Sequence, residues 1–281
     1  MSFRDRIAAC NAHDLSRFRP FLVADTHVGY VRHDIAGRLA AFDAVFVAAD
    51  GALRLSPALA DPAARTAAME RVARMLLAEG VISGWRGEMF PVAERLGGPE
   101  LMRIERAAAS LFGIRACGVH LNGFVRRDDG LHLWIGRRAH DKPTYPGKLD
   151  NMVAGAQPAG LSLRDNLIKE CAEEASVPPA LAARALSVGA VSYTLEGDNA
   201  LKRDTLYCFD LDLPADFVPH NADGEIAAFE LMPVEAVLAH VRDTEDFKLN
   251  CNLVIIDFLI RHGIIGPDEP DYLELVAGLH R

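Results

Sequence analysis

Gly155–Val177 reads GAQPAGLSLRDNLIKECAEEASV, and its second half carries three glutamates, Glu170, Glu173 and Glu174. Their i, i+3, i+4 spacing puts them within an arc of about 100° on one face of a helix. Ile168, Cys171, Ala172 and Ala175 fall on another face, one suited to packing. Like charges gathered on one face repel, and a fold tolerates them best with a cation among them. For oxygen ligands serving a phosphate partner, the hard cation is Mg²⁺. Ser162 followed by Asp165 predicts a capped helix start. Gly155 and Gly160 ahead of it allow a tight loop whose backbone can approach a phosphate closely.

Working outward, GVHLNGFVRRDDGLHLWIGRR (residues 118–138) alternates apolar and polar side chains around Asp129-Gly130 and predicts a hairpin. A loop with two prolines follows from Asp141 to Asp150. Beyond the carboxylate helix, strands are expected around Ala185–Leu195 and Asp204–Leu211, and a core helix over Leu249–Arg261. The first part, Ser2 to Gly113, reads as mostly helical, with amphipathic stretches at Arg4–Ala12, Ala63–Glu79 and Glu100–Leu111. Strand-like pieces interrupt it at Phe21–Val31 and at Ala44–Val47 with its Asp50-Gly51 turn. Mixed elements of this kind imply an α+β or layered αβα domain. The expected division is 1–113 and 114–281.

A chain of 281 residues, half of them apolar, buries a sizeable core. A net charge of −9 argues against a nucleic-acid-coating protein, which needs a basic face, but leaves room for a local anion pocket. The five cysteines are scattered without a CxxC pair, so a reduced cytoplasmic protein without structural zinc is expected. The polar start MSFRDRIAACNAHDL does not read as a signal peptide, and no run reaches the length of a membrane span. The ten histidines form no HxH or HxxxH pair.

The quoted segment resembles the Nudix box of the pyrophosphohydrolase superfamily, Gly-x5-Glu-x7-Arg-Glu-U-x-Glu-Glu-x-Gly-U with U apolar. Gly155, Glu170, Glu173 and Glu174 match its glycine and metal-binding glutamates, while Cys171 and Val177 take apolar positions. Leu161, Lys169 and Ser176 depart from it, standing for the first glutamate, the arginine and the second glycine. The flanks WIGRRAHDKPTYPGKLDNMVAGA, DGEIAAFELMPVEAVL and FKLNCNLVIIDFLIRHG resemble the Nudix branch related to the N-terminal part of fungal thiamine pyrophosphokinase. That resemblance implies an αβα sandwich with a mixed sheet, preceded by a smaller family-specific α+β domain. It also implies Mg²⁺-dependent hydrolysis (Mn²⁺ as a substitute) of thiamine diphosphate or its oxidised analogues to the monophosphate. Oxidised purine nucleoside diphosphates are the alternative substrate, and a Nudix module weakened to ligand binding is the alternative role. The implied partners are a small diphosphate, no nucleic acid and no membrane, with a homodimer compatible with the superfamily.

The resemblance implies Glu170 and Glu174 as principal metal ligands, Glu173 as a further one and the Gly155 carbonyl as an extra. Glu174 and Glu225, the latter in Asp223-Gly224-Glu225, are the candidate catalytic carboxylates, with Asp223 the weaker alternative. Arg137 and Arg138 end a strand where guanidinium groups could grip a diphosphate, and Lys142 and Lys148 lie in the following loop. Trp134 and Tyr145 are candidate stacking surfaces, set against core packing and loop anchoring. Asn151 is expected to fix the loop before the box, and Cys171 to pack rather than react. No motif gives Gly29 or Tyr30 a role.

Overall fold

Short strands and helices succeed one another through the first 114 residues. The computed structural model describes residues 2–280. A capped helix α1 (Phe3–Cys10) is followed by strands β1 (Phe18–Val23) and β2 (Thr26–Arg32). Helix α2 (His33–Leu39) leads to the hairpin β3 (Phe46–Ala49) and β4 (Ala52–Leu55), turned at Asp50-Gly51 as the sequence predicts. Then come α3 (Pro62–Ala78), β5 (Met89–Val92), β6 (Met102–Glu105) and the single turn α4 (Arg106–Ala109). The four-stranded sheet runs β2-β1-β4-β3, with β5 and β6 forming a separate ribbon. Phe21, Phe46 and Phe112 meet at its centre with ring centroids 5.3 to 6.3 Å apart, and Met69, Val72 and Leu76 of α3 close the core.

Three expectations for this region change. It is mixed rather than mostly helical. Phe21–Val31 lies in a hairpin, because Ala24 and Asp25 take positive φ angles of 48° and 66° and turn the chain back. Glu100–Leu111 contributes β6 and only one helical turn, since Met102 and Ile104 point inward with exposed Arg103 between them.

The second part opens with the long strands β7 (Arg115–Arg127) and β8 (Gly130–Arg138), joined at Asp128-Asp129, one residue earlier than expected. It continues through β9 (Leu149–Asp150), β10 (Val153–Ala156), α5 (Leu163–Ala175) and the short α6 (Pro179–Ala182). Strands β11 (Leu186–Glu196), β12 (Leu201–Asp212) and β13 (Ile226–Pro233) follow, then helices α7 (Val234–Asp243), α8 (Cys251–Arg261) and α9 (Tyr272–Leu279). The sheet order is β11-β12-β7-β8-β13, with β10 paired to β7 and β9 to β8. The β7–β12 pair is parallel and its other pairs antiparallel, so the sheet is mixed.

Alternation along β7 builds two cores. Val119 and Leu121 pack with Leu167, Cys171 and Ala175 of α5, while Phe124 joins Phe258 of α8 on the opposite face. The result is an αβα sandwich. Phe3, Ile7 and Cys10 of α1 sit in this second body's core, beside α7, α8 and α9. Arg6 holds α1 there by donating to the carbonyls of Val241 and Arg242. No helix among the described residues is long and apolar enough to cross a membrane.

Candidate active site

Strand β10 and helix α5 lie against each other, and their contact assembles the carboxylates. Ser162 Oγ accepts from Asp165 N at 3.1 Å, fixing the first turn of α5. At the other end Ser176 is left-handed (φ 52°) and the Val177 N–H donates to the Cys171 carbonyl at 3.0 Å, a Schellman closure on a residue that carries a Cβ. Between them Glu174 is 6% exposed, and its Oε2 accepts from the Ala154 N–H at 2.8 Å. Glu170 is half-buried and Glu173 exposed. Lys169 Nζ bridges them at 3.2 and 2.5 Å, so the lysine still supplies the charge an arginine would.

Gly155 makes room for this arrangement. A Cβ there would lie 2.7 Å from Glu170 Oε2, and nearer still to Cγ and Cδ. Burial pushes the Glu174 carboxyl well above the usual range, against the Ala154 N–H and with Asp150, Glu170 and Glu225 adding to the rise. Burial also raises Glu170, with Lys169 opposing it. Glu174 thus has no cationic partner among the described residues, while Glu170, packed against the bare Cα of Gly155, has only Lys169, a set of oxygens that fits a divalent cation.

They border a cavity of about 500 Å³. Gly155, Glu170, Glu173, Glu174, Asp223 and Glu225 line it, as do Arg138, Lys142 and Tyr145. Glu225 Oε2 is 2.5 Å from Lys142 Nζ. Burial alone would raise Glu225, but Lys142 and then Arg138 bring it below the usual carboxylate range. Three sequence candidates do not reach the cavity. Arg137 points to the opposite face of β8 from Arg138 and donates to the Gly147 carbonyl at 3.1 Å. Lys148 Nζ turns away to the Glu245 carbonyl at 2.5 Å. Trp134 is buried in the core on the α5 side of the sheet. Arg138 lines the cavity but is spent on the fold, with donors on the carbonyls of Thr144 and Tyr145 and on Asp150. Leu161 is exposed and faces a separate, smaller cavity.

Next to the carboxylates lies a buried polar floor. Asp150 Oδ2 receives Arg138 at 2.9 Å and Lys248 at 3.1 Å, while Oδ1 receives the Asn151 N–H and the Cys251 thiol. Burial opposes the charge on Asp150, yet Lys248 and its other partners hold its pKa at about 2. Ligand atoms of His120, Asp150 and Cys251 fall within 4.8 Å of one another, a grouping that could hold a metal ion. Two cations already occupy the carboxylate and burial pushes the thiol far up, so the arrangement suits a proton network better than a metal. Asn151, expected to fix the loop, ties β7 to this floor through Asn122 and His120.

The opposite wall comes from the first body. Arg86, Glu88, Phe90, Arg106 and Ile114 all line the cavity, and Arg106 pairs with Glu88 at 2.7 Å. None stands in a recognisable motif. The polar residues His120 and Asn122 at buried strand positions were the one local signal pointing to the floor. Gly29 has no such role, since the backbone of Phe112-Gly113 passes where its Cβ would be.

Comparison with known proteins agrees with this architecture. Residues 119–252 match the "NUDIX domain" family, and residues 2–116 match a "Domain of unknown function (DUF4743)". Nudix hydrolase 20, chloroplastic, of Arabidopsis thaliana is 44% identical over 288 residues, covering 99% of this chain and 77% of that protein. Nudix hydrolase 24, chloroplastic, of the same plant is 44% identical over 281 residues with the same coverage. Among solved structures, the NUDIX domain of Shewanella oneidensis NrtR complexed with ADP ribose aligns with a TM-score of 0.43 and 13% identity. That alignment covers 55% of this chain and 91% of the other. With its carboxylate helix, its glycine strand and relatives 44% identical over 99% of its length, the chain belongs to the Nudix hydrolases, enzymes that act on diphosphate linkages.

Proposed function

We propose that this enzyme cleaves the diphosphate of thiamine diphosphate, or of its oxidised analogues, to the monophosphate in a Mg²⁺-dependent reaction. The observation that carries the chemistry is the convergence of Glu170, Glu173, Glu174 and Glu225 on one cavity beside a glycine strand. Nudix enzymes generally use divalent metals, and here Glu170, Glu174 and Glu173, with the Gly155 carbonyl, would hold the ion. When bound, it would neutralise charge developing on the phosphoryl oxygens and polarise the phosphorus.

The chain's own residues supply the rest. Arg86 lines the cavity with its guanidinium uncommitted among the described residues, and Lys142 stands beside Glu225, so both are placed to receive phosphate oxygens. Glu174, held by the Ala154 N–H at the cavity wall, is one carboxylate placed to take the proton of the attacking water. Glu225, kept ionised by Lys142, is the second carboxylate able to accept that proton. Tyr145, 38% exposed at the cavity edge, offers a ring to the organic half of the substrate. Residues 1–113 act as the family-specific part and 114–281 as the hydrolase proper, with α1 packed on the latter. A cavity of this size holds a cofactor-sized diphosphate.

A panel of thiamine, oxothiamine, oxythiamine and 8-oxoguanosine diphosphates, with and without Mg²⁺, tests the reading. Phosphate release from a thiamine compound, dependent on Mg²⁺ and abolished in Glu174→Gln, is expected. If every thiamine diphosphate stays intact while the oxidised purine is cut, the substrate assignment fails.

A further inference from the structure

We infer that His120 reads a neutral N–H donor on the organic half of the substrate, an amine carried by an aromatic ring, through a lone pair on Nε2. This rests on the reading of the cavity as the substrate site and adds to it the chemistry of the far end.

The direction of every hydrogen bond behind His120 is forced, starting from a carboxylate. Asp210 is buried, and although burial opposes its charge, His262 and Arg261 hold it below the usual carboxylate range. Arg261 reaches it at 2.5 and 3.1 Å and His262 Nε2 at 2.8 Å. An ionised carboxylate only accepts, so the Asn122 group 3.1 Å from Asp210 Oδ1 is the amide NH₂. The Asn122 oxygen is then the acceptor for Asn151 Nδ2 at 3.1 Å. That leaves the Asn151 oxygen facing His120 Nδ1 at 2.9 Å, and an amide oxygen there requires Nδ1 to carry the proton. A neutral ring so fixed presents Nε2 as a bare acceptor.

The ring is neutral because it is 4% exposed and Lys248 opposes its protonation, outweighing the pull of Asp150 and Asp204. Burial first and Lys248 second bring its pKa down to about 4. Nε2 has no hydrogen-bond partner among the described residues, yet is not sealed in the interior, and His120 lines the cavity. The acceptor therefore opens on the space the substrate would fill. Leu206 and Ile114, apolar cavity walls, suit a flat ring with one polar edge. Lys248 and Arg138 together outnumber the one carboxylate they share, Asp150, and Asp204 is paired with Lys202, so an ammonium is disfavoured as the donor and an uncharged N–H is left.

The test uses the full chain and two ligand pairs. One pair is thiamine diphosphate and its analogue with hydrogen in place of the ring amine; the other is ADP and purine riboside diphosphate. Binding by calorimetry and turnover by phosphate release are measured for wild type, His120→Phe and His120→Gln. Ring ¹⁵N NMR of histidine-labelled wild type reports which nitrogen of His120 is protonated. The expected results are the Nδ1–H form at neutral pH and a loss of about tenfold or more in affinity or kcat/KM when the amine is removed. That loss should shrink to about twofold or less in His120→Phe and stay intermediate in His120→Gln, which keeps a carbonyl acceptor. Binding with this discrimination but no hydrolysis upholds His120 and sinks the proposed reaction. Hydrolysis without discrimination does the reverse. An Nε2–H or imidazolium form, or failure of all four ligands to bind, overturns the inference, and the wild-type measurements decide it even if both variants misfold.

Discussion

Replacing Gly155 with alanine puts the spacing between β10 and α5 to a direct test. The added methyl would stand 2.7 Å from Glu170 Oε2, closer still to Cγ and Cδ, where ordinary contact begins at 3.4 Å. Glu170 must therefore retreat by about 1 Å, and a misplacement of that size costs about 100-fold in rate when it falls on a positioned group. Stability should hardly move. Gly155 has no left-handed φ to lose, and alanine in a strand gains about 0.5–1 kcal/mol over glycine. An off-rotamer Glu170 costs about the same amount, so the two offset. The assay is phosphate release across an Mg²⁺ titration, read beside the thermal midpoint. A fall of about 100-fold in kcat/KM, with a raised Mg²⁺ requirement and a midpoint within a few degrees of wild type, is the expected result. Activity within about threefold of wild type would refute the placement of Glu170 at the reacting centre.

Three further outcomes follow from the same geometry. Ser176→Gly relieves a left-handed residue at the end of α5 and should stabilise the chain by about 1 kcal/mol in urea unfolding, without changing activity. Asp150→Asn strips the partner from Arg138 and Lys248, and a loss of about 3–5 kcal/mol is expected by the same measurement. His120 has a folded-state pKa lowered to about 4 from 6.5, so its contribution to stability is present above pH 6.5 and is lost as pH falls toward 4. Wild type should lose on the order of 3 kcal/mol more than His120→Gln over that window, and parallel pH profiles would count against the buried neutral ring.

The carboxylate helix, its serine cap and the β7–β8 hairpin were legible because each is written in contiguous residues. Helical spacing alone places Glu170, Glu173 and Glu174 together, and two-residue alternation alone exposes a hairpin. The same local reading misled where parity mattered: Arg137 and Arg138 look equivalent in a string, but a strand sends them to opposite faces. Trp134, by contrast, lies in the core, as the packing alternative to stacking expects. Glu100–Leu111 has enough alanine and arginine to suit a helix, yet Met102 and Ile104 find a partner strand in β5. The wall formed by Arg86, Phe90 and Arg106 was not legible, since residues far apart in the chain reach the carboxylates only through tertiary packing.

Helix α1 changes what kind of object the first hundred residues are. Helix α1 lies in the hydrolase core, after which the chain leaves it to build the four-stranded sheet and re-enters at β7. Topologically the first body is an excursion anchored at both ends, like a handle, not a bead on a string. A bead can swing away on a linker, whereas a handle keeps its bearing on what it spans. Excising it at Gly113 would strip Phe3, Ile7 and Cys10 from the remaining core, and grafting it elsewhere would need two anchoring points. The cavity wall that carries Arg86 and Phe90 is thus welded to the stability of the hydrolase body, and the two would have to evolve as one piece.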